Sequence, residues 1–275
     1  MRAAPARSRN DERTDEKPRT LATGSERETR VQTPDGAMTT FFAAPDGRGP
    51  FPTVVVYMDA AGLRDELRHI GRRIAAHGYY AVLPDLYHHF GDRITFDASK
   101  LRDPGSGEVG RMFAQVEQLS DDAAMADTRA LLDRLADDPL ASDGPCGAVG
   151  FCLGGRLVVC ALTKFPDAFA AGSALHPSRT VQEGPDSPHL RIGEMRAELY
   201  IGLGGADSFQ PPALFEPARR ELERHGIPHL VEVHEGADHG YMVPDMPTFD
   251  EEASERSWER TFELFDRTPS GPAQP

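Results

Sequence analysis

Short apolar runs and amphipathic stretches alternate along most of this chain. Residues 53–58 form an apolar run suited to a central strand buried on both faces. Leu63, Leu67, Ile70 and Ile74 then recur at helical spacing and predict an amphipathic helix over 63–77. Ala81-Val82-Leu83 predicts the next strand, with Pro84 ending it. A helix is expected over 121–136, with Ala124, Thr128, Leu131, Leu132 and Leu135 on one side. The run Cys146–Val149 predicts a strand after the turn Asp143-Gly144-Pro145. A further strand is expected over 168–176, and the stretches 199–207 and 230–240 each read as a strand running into a loop. A helix over 216–225, closed near Gly226, separates the last two. A final helix over 251–265 would bury Ala253, Trp258, Phe262 and Phe265. Ahead of all these, residues 30–43 read as an antiparallel hairpin around Pro34-Asp35-Gly36. Strands alternating with helices in this way predict an α/β fold, a mostly parallel sheet with helices on both faces.

Three segments break the pattern. Residues 1–27 are charged and poor in large apolar side chains, and read as a disordered extension. Acidic residues interleave with the arginines there, which argues against a transit peptide. Residues 28–268 are then one domain, and 269–275 a flexible tail. Residues 88–120, interrupted by Gly91, Pro104, Gly105, Gly107 and Gly110, are either a substrate-shaping cap or a plain surface loop.

The 275 residues suffice for one large α/β domain. Mean hydropathy is −0.47, and no apolar run reaches membrane-spanning length. A net charge of −14 disfavours nucleic acid or an anionic membrane as partner. The expected partner is a small molecule, and the expected assembly a monomer or small homo-oligomer. Three cysteines without metal-type spacing suit a reducing, cytoplasmic compartment. Cys146 and Cys160 lie in apolar runs and read as core.

Candidate chemistry centres on Gly150-Phe151-Cys152-Leu153-Gly154-Gly155, between one apolar run and another. This is the layout of a nucleophile elbow, a strand, a sharp turn and a helix, with Cys where Ser is usual. Glycines on either side remove Cβ atoms that would clash in the turn. The backbone N–H of Leu153 is left at a helix start, where it can bind an oxyanion. Downstream, the stretch 199–207 ends in a glycine-rich loop that delivers Asp207, and the stretch 230–240 in a loop that delivers His239. Nucleophile, acid and base thus follow α/β-hydrolase order, each past the end of a strand. A thiol is mostly protonated at neutral pH. His239 can take its proton, and Asp207 can fix the imidazole tautomer.

Other residues read both ways. His176 at a strand end either lines the pocket or is structural, and Tyr241 is either a substrate wall or core. Tyr87, His88 and His89 follow a Pro-Asp-Leu turn toward the same end. Adjacent histidines on an extended segment point to opposite faces, which argues against a metal. Neither an HExxH nor a paired-Cys motif supports one. Gly202-Leu203-Gly204-Gly205 lacks the ending of a phosphate loop, so no nucleotide or other cofactor is expected.

These stretches, with Val54–Gly62 and Gly78–Tyr87, resemble the dienelactone hydrolase (carboxymethylenebutenolidase-like) family, a Cys-nucleophile branch of the α/β-hydrolases. The resemblance covers about residues 28 to 268. It implies Cys152 as nucleophile, Asp207 as triad acid, His239 as base, and a second oxyanion N–H from Ala60. It places Asp59 where the family often has Glu, one methylene longer. From there Asp59 either raises the thiol pKa by its charge or accepts the thiol proton. Dienelactone-type members carry a carboxylate-gripping Arg four residues after the catalytic His; here Val243 stands there. The expected activity is hydrolysis of a small ester or lactone through an acyl-thioester. The alternatives are a thioesterase or acyl transferase on the same triad, or a non-catalytic ligand-binding or thiol redox-sensing protein.

Overall fold

The computed structural model describes residues 24–103 and 105–268. Eight strands form one sheet in the order β1-β2-β4-β3-β5-β6-β7-β8. β1 (Ser25–Thr33) and β2 (Gly36–Ala44) are the expected hairpin, and β2 runs antiparallel to β4 (Tyr80–Pro84). All other pairings, through β3 (Thr53–Tyr57), β5 (Cys146–Phe151), β6 (Phe169–Leu175), β7 (Glu198–Gly204) and β8 (His229–His234), are parallel. Every residue of β3 and β5 is buried, as unbroken apolar runs at a sheet centre should be.

Helices cover both faces. α1 (Asp65–Ala76) and α6 (Glu251–Arg267) share one of them: the rings of His77 and Phe262 stack at 3.7 Å, and Arg73 pairs with Glu255. α3 (Asp121–Ala136) and α4 (Leu153–Lys164) pack together on the other, where Thr128 of α3 meets the Tyr57 hydroxyl at 3.1 Å. Ser120 caps α3 through the Ala123 N–H and Asp250 caps α6 through the Ala253 N–H, so both helices begin where the sequence supplies a side-chain acceptor. α5 (Glu216–His225) ends at Gly226 in the left-handed region, as expected.

Two expectations are revised. The domain begins earlier than residue 28, because β1 starts at Ser25. Arg27 pairs with buried Asp138 and lies 4.8 Å from the Phe42 ring centre. The rest of the expected extension, 1–23, and the tail 269–275 lie outside the described residues. Within 88–120 the glycines interrupt the chain less than expected: α2 (Glu108–Val116) starts directly after Gly107, whose φ is +70°. No helix among the described residues is long and apolar enough to cross a membrane.

β5 must pass into α4 within one residue, and this demands glycine. A Cβ at Gly154 would overlap the Tyr57 carbonyl oxygen and come within 2.6 Å of that of Met58. We therefore expect Gly154→Ala to lose more than about 2 kcal/mol of stability in urea unfolding. Gly110→Ala, in the open interior of α2, should instead gain up to about 1 kcal/mol. Equal effects from the two would refute this account of the turn.

Candidate active site

Cys152 occupies the sharp turn with φ +52°, a region that L-residues rarely adopt. Three backbone hydrogen bonds hold the surroundings. The Cys152 N–H donates to the Leu175 carbonyl, the Ser178 N–H donates to the Cys152 carbonyl, and the His176 N–H donates to the Gly202 carbonyl. The ends of β5, β6 and β7 are thereby stitched together. The Cys152 side chain projects into a cavity of about 240 Å³, a size suited to a small ligand.

Asp207 and His239 arrive from the next two loops. The Gly205 N–H donates to the His234 carbonyl and the Ala206 N–H to the Ala237 carbonyl, so the loops after β7 and β8 are laced together. His239 Nδ1 then lies 2.7 Å from Asp207 Oδ2. Asp207 Oδ1 accepts from the Phe209 and Gln210 N–H groups at 2.9 and 2.7 Å. Burial raises the Asp207 pKa, but the His239 bond and charge and these two N–H groups outweigh it and hold the carboxyl below its ordinary value. His239 shows the converse balance. Burial opposes its protonation, while the Cys152 charge and the Asp207 carboxylate push its pKa up. For Cys152, burial resists ionisation, yet the His239 charge and contacts with His239 and Ser178 pull the thiol below its ordinary value. Ser178 Oγ is 3.6 Å from Cys152 Sγ.

Two backbone donors border the same cavity. Neither the Ala60 N–H nor the Leu153 N–H has an acceptor among the described residues, and both residues line it. The peptide after Ala60 is clamped at both ends: the Tyr87 hydroxyl donates to the Ala60 carbonyl at 2.9 Å, and Asp59 Oδ1 accepts the Ala61 N–H at 2.8 Å. That clamp fixes the plane beside the Ala60 N–H.

Several assignments change. Tyr87 does not line the cavity; it is wholly buried beneath it, because its hydroxyl is used on the Ala60 carbonyl. Tyr241 is likewise core and not a substrate wall, since its hydroxyl meets Ser257 Oγ at 2.9 Å and its ring supports His176 at 5.4 Å. His176 does line the cavity, edge-on to His239 with ring centres 5.0 Å apart. Burial first, then the charge of His239, keeps it neutral by lowering its pKa well below the ordinary value. Asp59 also lines the cavity, but both its oxygens are taken by Arg64, at 2.7 and 2.9 Å. It therefore acts on the thiol by charge, weakly raising its pKa, and is not free to accept its proton.

The argument that His88 and His89 diverge also fails. Residues 85–90 turn tightly, with the His88 N–H on the Asp85 carbonyl and the Phe90 N–H on the Tyr87 carbonyl. Both imidazoles reach the same carboxylate oxygen of Asp127.

What the sequence reading missed is mostly apolar. Leu101, Val109, Met112, Phe113 and Val116 form one wall, and Phe209 and Met246 form another. Positions 109, 112, 113 and 116 carry a helical period that the intervening Gly110 disguises. Phe209 stands edge-on to His239 at 5.0 Å. Two arginines reach the cavity, each already paired: Arg102 with Asp238, and Arg179 with Glu117 at 2.6 Å. Val243 is wholly buried and offers the cavity nothing.

Comparison with known proteins identifies the family. The chain is 27% identical over 259 residues to an Escherichia coli protein named "Putative carboxymethylenebutenolidase", covering 86% of this chain and 90% of that one. The carboxymethylenebutenolidase of Rhodococcus opacus is 24% identical, with 86% and 89% covered. In structure, a "Putative Dienelactone Hydrolase" from Klebsiella pneumoniae superposes with a TM-score of 0.78 at 22% identity, covering 88% of this chain and 98% of the other. Residues 38–268 match the model of the dienelactone hydrolase family, and the chain belongs to that family, with its α/β-hydrolase fold.

Proposed function

We propose that this hydrolase cleaves small, neutral, apolar esters or lactones through Cys152, His239 and Asp207. One observation carries the reading. Inside a single cavity, a thiol with lowered pKa sits beside a carboxylate-anchored imidazole and two backbone N–H groups without acceptors.

The chemistry follows from those groups. The Cys152 thiolate adds to the substrate carbonyl carbon, and the carbonyl oxygen becomes an oxyanion held by the Leu153 and Ala60 N–H groups. As the tetrahedral intermediate collapses, the C–O bond breaks and the His239 imidazolium gives its proton to the leaving oxygen. A thioester remains on Cys152. Neutral His239 then takes a proton from water, the hydroxide adds to the thioester carbonyl, and the thiolate departs as the acid product forms. Asp207 holds the ring in the tautomer that presents Nε2 to these transfers and stabilises its charged form. His176, kept neutral by burial, walls the imidazole without competing for its proton.

The lining decides the substrate class. Both walls are apolar, the two arginines are each compensated, and Val243 supplies no cation. A substrate carboxylate would have to be desolvated without a free partner, which is costly. Neutral short-chain p-nitrophenyl esters should thus be turned over with kcat/KM at least about tenfold above lactones bearing a free carboxylate, a difference of about 1.4 kcal/mol. The reverse order would refute the neutral-substrate assignment. Cys152→Ala should lower kcat/KM on the preferred ester at least about 1,000-fold. Turnover that survives this change would sink the mechanism. Reversible thiol oxidation in a wild-type protein without ester turnover would favour the sensing alternative.

The pKa directions give a second test. A lowered thiol pKa means that the thiolate already forms below the ordinary value of about 8.5. The rate of inactivation by iodoacetamide should therefore rise with pH and level off with a midpoint below that value. Asp207→Asn, which removes support for the imidazolium, should move the midpoint upward. Burial pushes Cys146 up to about 12 and Cys160 higher still, so neither should contribute. A wild-type midpoint at or above about 8.5 would refute the coupled thiol–imidazole pair.

A further inference from the structure

Away from the cavity, two imidazoles and a carboxylate converge where β4 hands over to the loop beneath Ala60. His88 Nε2 and His89 Nε2 lie 3.0 and 2.7 Å from the same oxygen, Asp127 Oδ2. The imidazole centroids are 4.1 Å apart, and the three ligand atoms all fall within 4.8 Å of one another. Asp127 comes from the middle of α3 and is wholly buried, with its second oxygen, Oδ1, lacking any partner among the described residues. Both histidine side chains are nearly enclosed, at 6% and 11% exposure.

A hydrogen-bonded cluster alone accounts poorly for this arrangement. One carboxylate oxygen takes both imidazoles while the other is orphaned in the interior, where an unmet acceptor is costly. Asp127 has no arginine or lysine partner among the described residues. A divalent cation held by the three side chains would give the buried carboxylate a cationic partner and an acceptor-seeking ligand for its second oxygen. The spacing suits it: at bond lengths of about 2.0–2.1 Å, neighbouring ligand atoms around a tetrahedral ion are about 3.3 Å apart. His88 Nε2 and His89 Nε2 stand 3.0 and 2.7 Å from Asp127 Oδ2, each within about 0.6 Å of that separation. A further carboxylate, Asp35, stands on the Nδ1 side of His89, its Oδ2 3.7 Å from that nitrogen, beyond hydrogen-bond reach but close enough to interact by charge. The nitrogen-rich donor set favours Zn²⁺, Co²⁺ or Ni²⁺ over Mg²⁺ or Ca²⁺.

We propose that His88, His89 and Asp127 form a binding site for a borderline divalent transition-metal ion, separate from the thiol site. Bound there, the ion fastens the turn at 85–90 to α3. Tyr87, in the same turn, holds the Ala60 carbonyl, so the site supports the floor of the catalytic cavity without contacting substrate.

The test uses the full chain, stripped with chelator, in a Cys152→Ala background so that the reactive thiol cannot compete for metal. Titration with Co²⁺ should give one equivalent of binding and a visible ligand-field spectrum, which Zn²⁺ displaces. His88→Ala and His89→Ala should each abolish that spectrum. Each variant is first shown to keep the parent's cooperative melting transition in chelator. Should His88→Ala fail to fold, His89→Ala, the more exposed of the two, decides. Zn²⁺ should also raise the melting temperature of the parent and not of the histidine variants. Absence of saturable binding by the parent would overturn the proposal, and so would unchanged affinity in a folded His89→Ala.

Discussion

The backbone turn at Cys152 is the constraint on which the site depends. A non-glycine residue at φ +52° costs about 1–3 kcal/mol and persists only when its surroundings over-determine it. Here they do. The Cys152 N–H is bonded to the last residue of β6 and its carbonyl to Ser178 just beyond it, and the first turn of α4 presses against the end of β3 where only glycine fits. The strain is not scattered. Of the four non-glycine residues with positive φ among those described, Cys152, His176 and Arg179 all border the cavity. Relaxing the turn would lower the thiol and withdraw the Leu153 N–H together, because one backbone conformation sets both.

Electrostatics then selects what that geometry can do. Burying an ionised thiol or imidazole costs several kcal/mol unless a partner compensates. Each of the three ionisable groups here is compensated by the next. Backbone N–H groups settle Asp207, Asp207 settles His239, and His239 settles Cys152. Asp59, the nearby anion that would work against the thiolate, is itself held by Arg64, which also binds Asp245 at 2.6 and 2.7 Å. Arg64 thus screens the thiol from a repulsive charge while tying the end of β3 to the loop that follows His239.

The order of elements was legible because each strand and helix carries its own period. The helices at 121–136 and 216–225 match their expected bounds, and the strands fall within a few residues. The elbow and its two partners were legible for a different reason: glycine marks the places where backbone segments approach closely, and these coincide with strand ends. Contacts across the chain left no local mark. The hydroxyls of Tyr87 and Tyr241 are spent on Ala60 and Ser257, partners 27 and 16 residues away, so neither faces substrate. Asp59 was readable as a carboxylate near the thiol, but not as one already occupied by Arg64. The histidine pair was misread because a rule for extended chain was applied to a turn. α2 was obscured by glycines that tertiary packing tolerates; Gly110 sits inside it with open space around it.

The proposal of an uncharged substrate rests on three features that do not touch one another. The protein as a whole carries −14, so a diffusing anion gains nothing on approach. The two arginines at the cavity are held by Asp238 and Glu117, and freeing either one means breaking an existing ion pair. Val243 is buried core and supplies the cavity no cation. Together they support the proposal that the acyl group is uncharged. Family membership supplies the fold. The apolar lining of this particular cavity is what supports the proposal of neutral acyl groups.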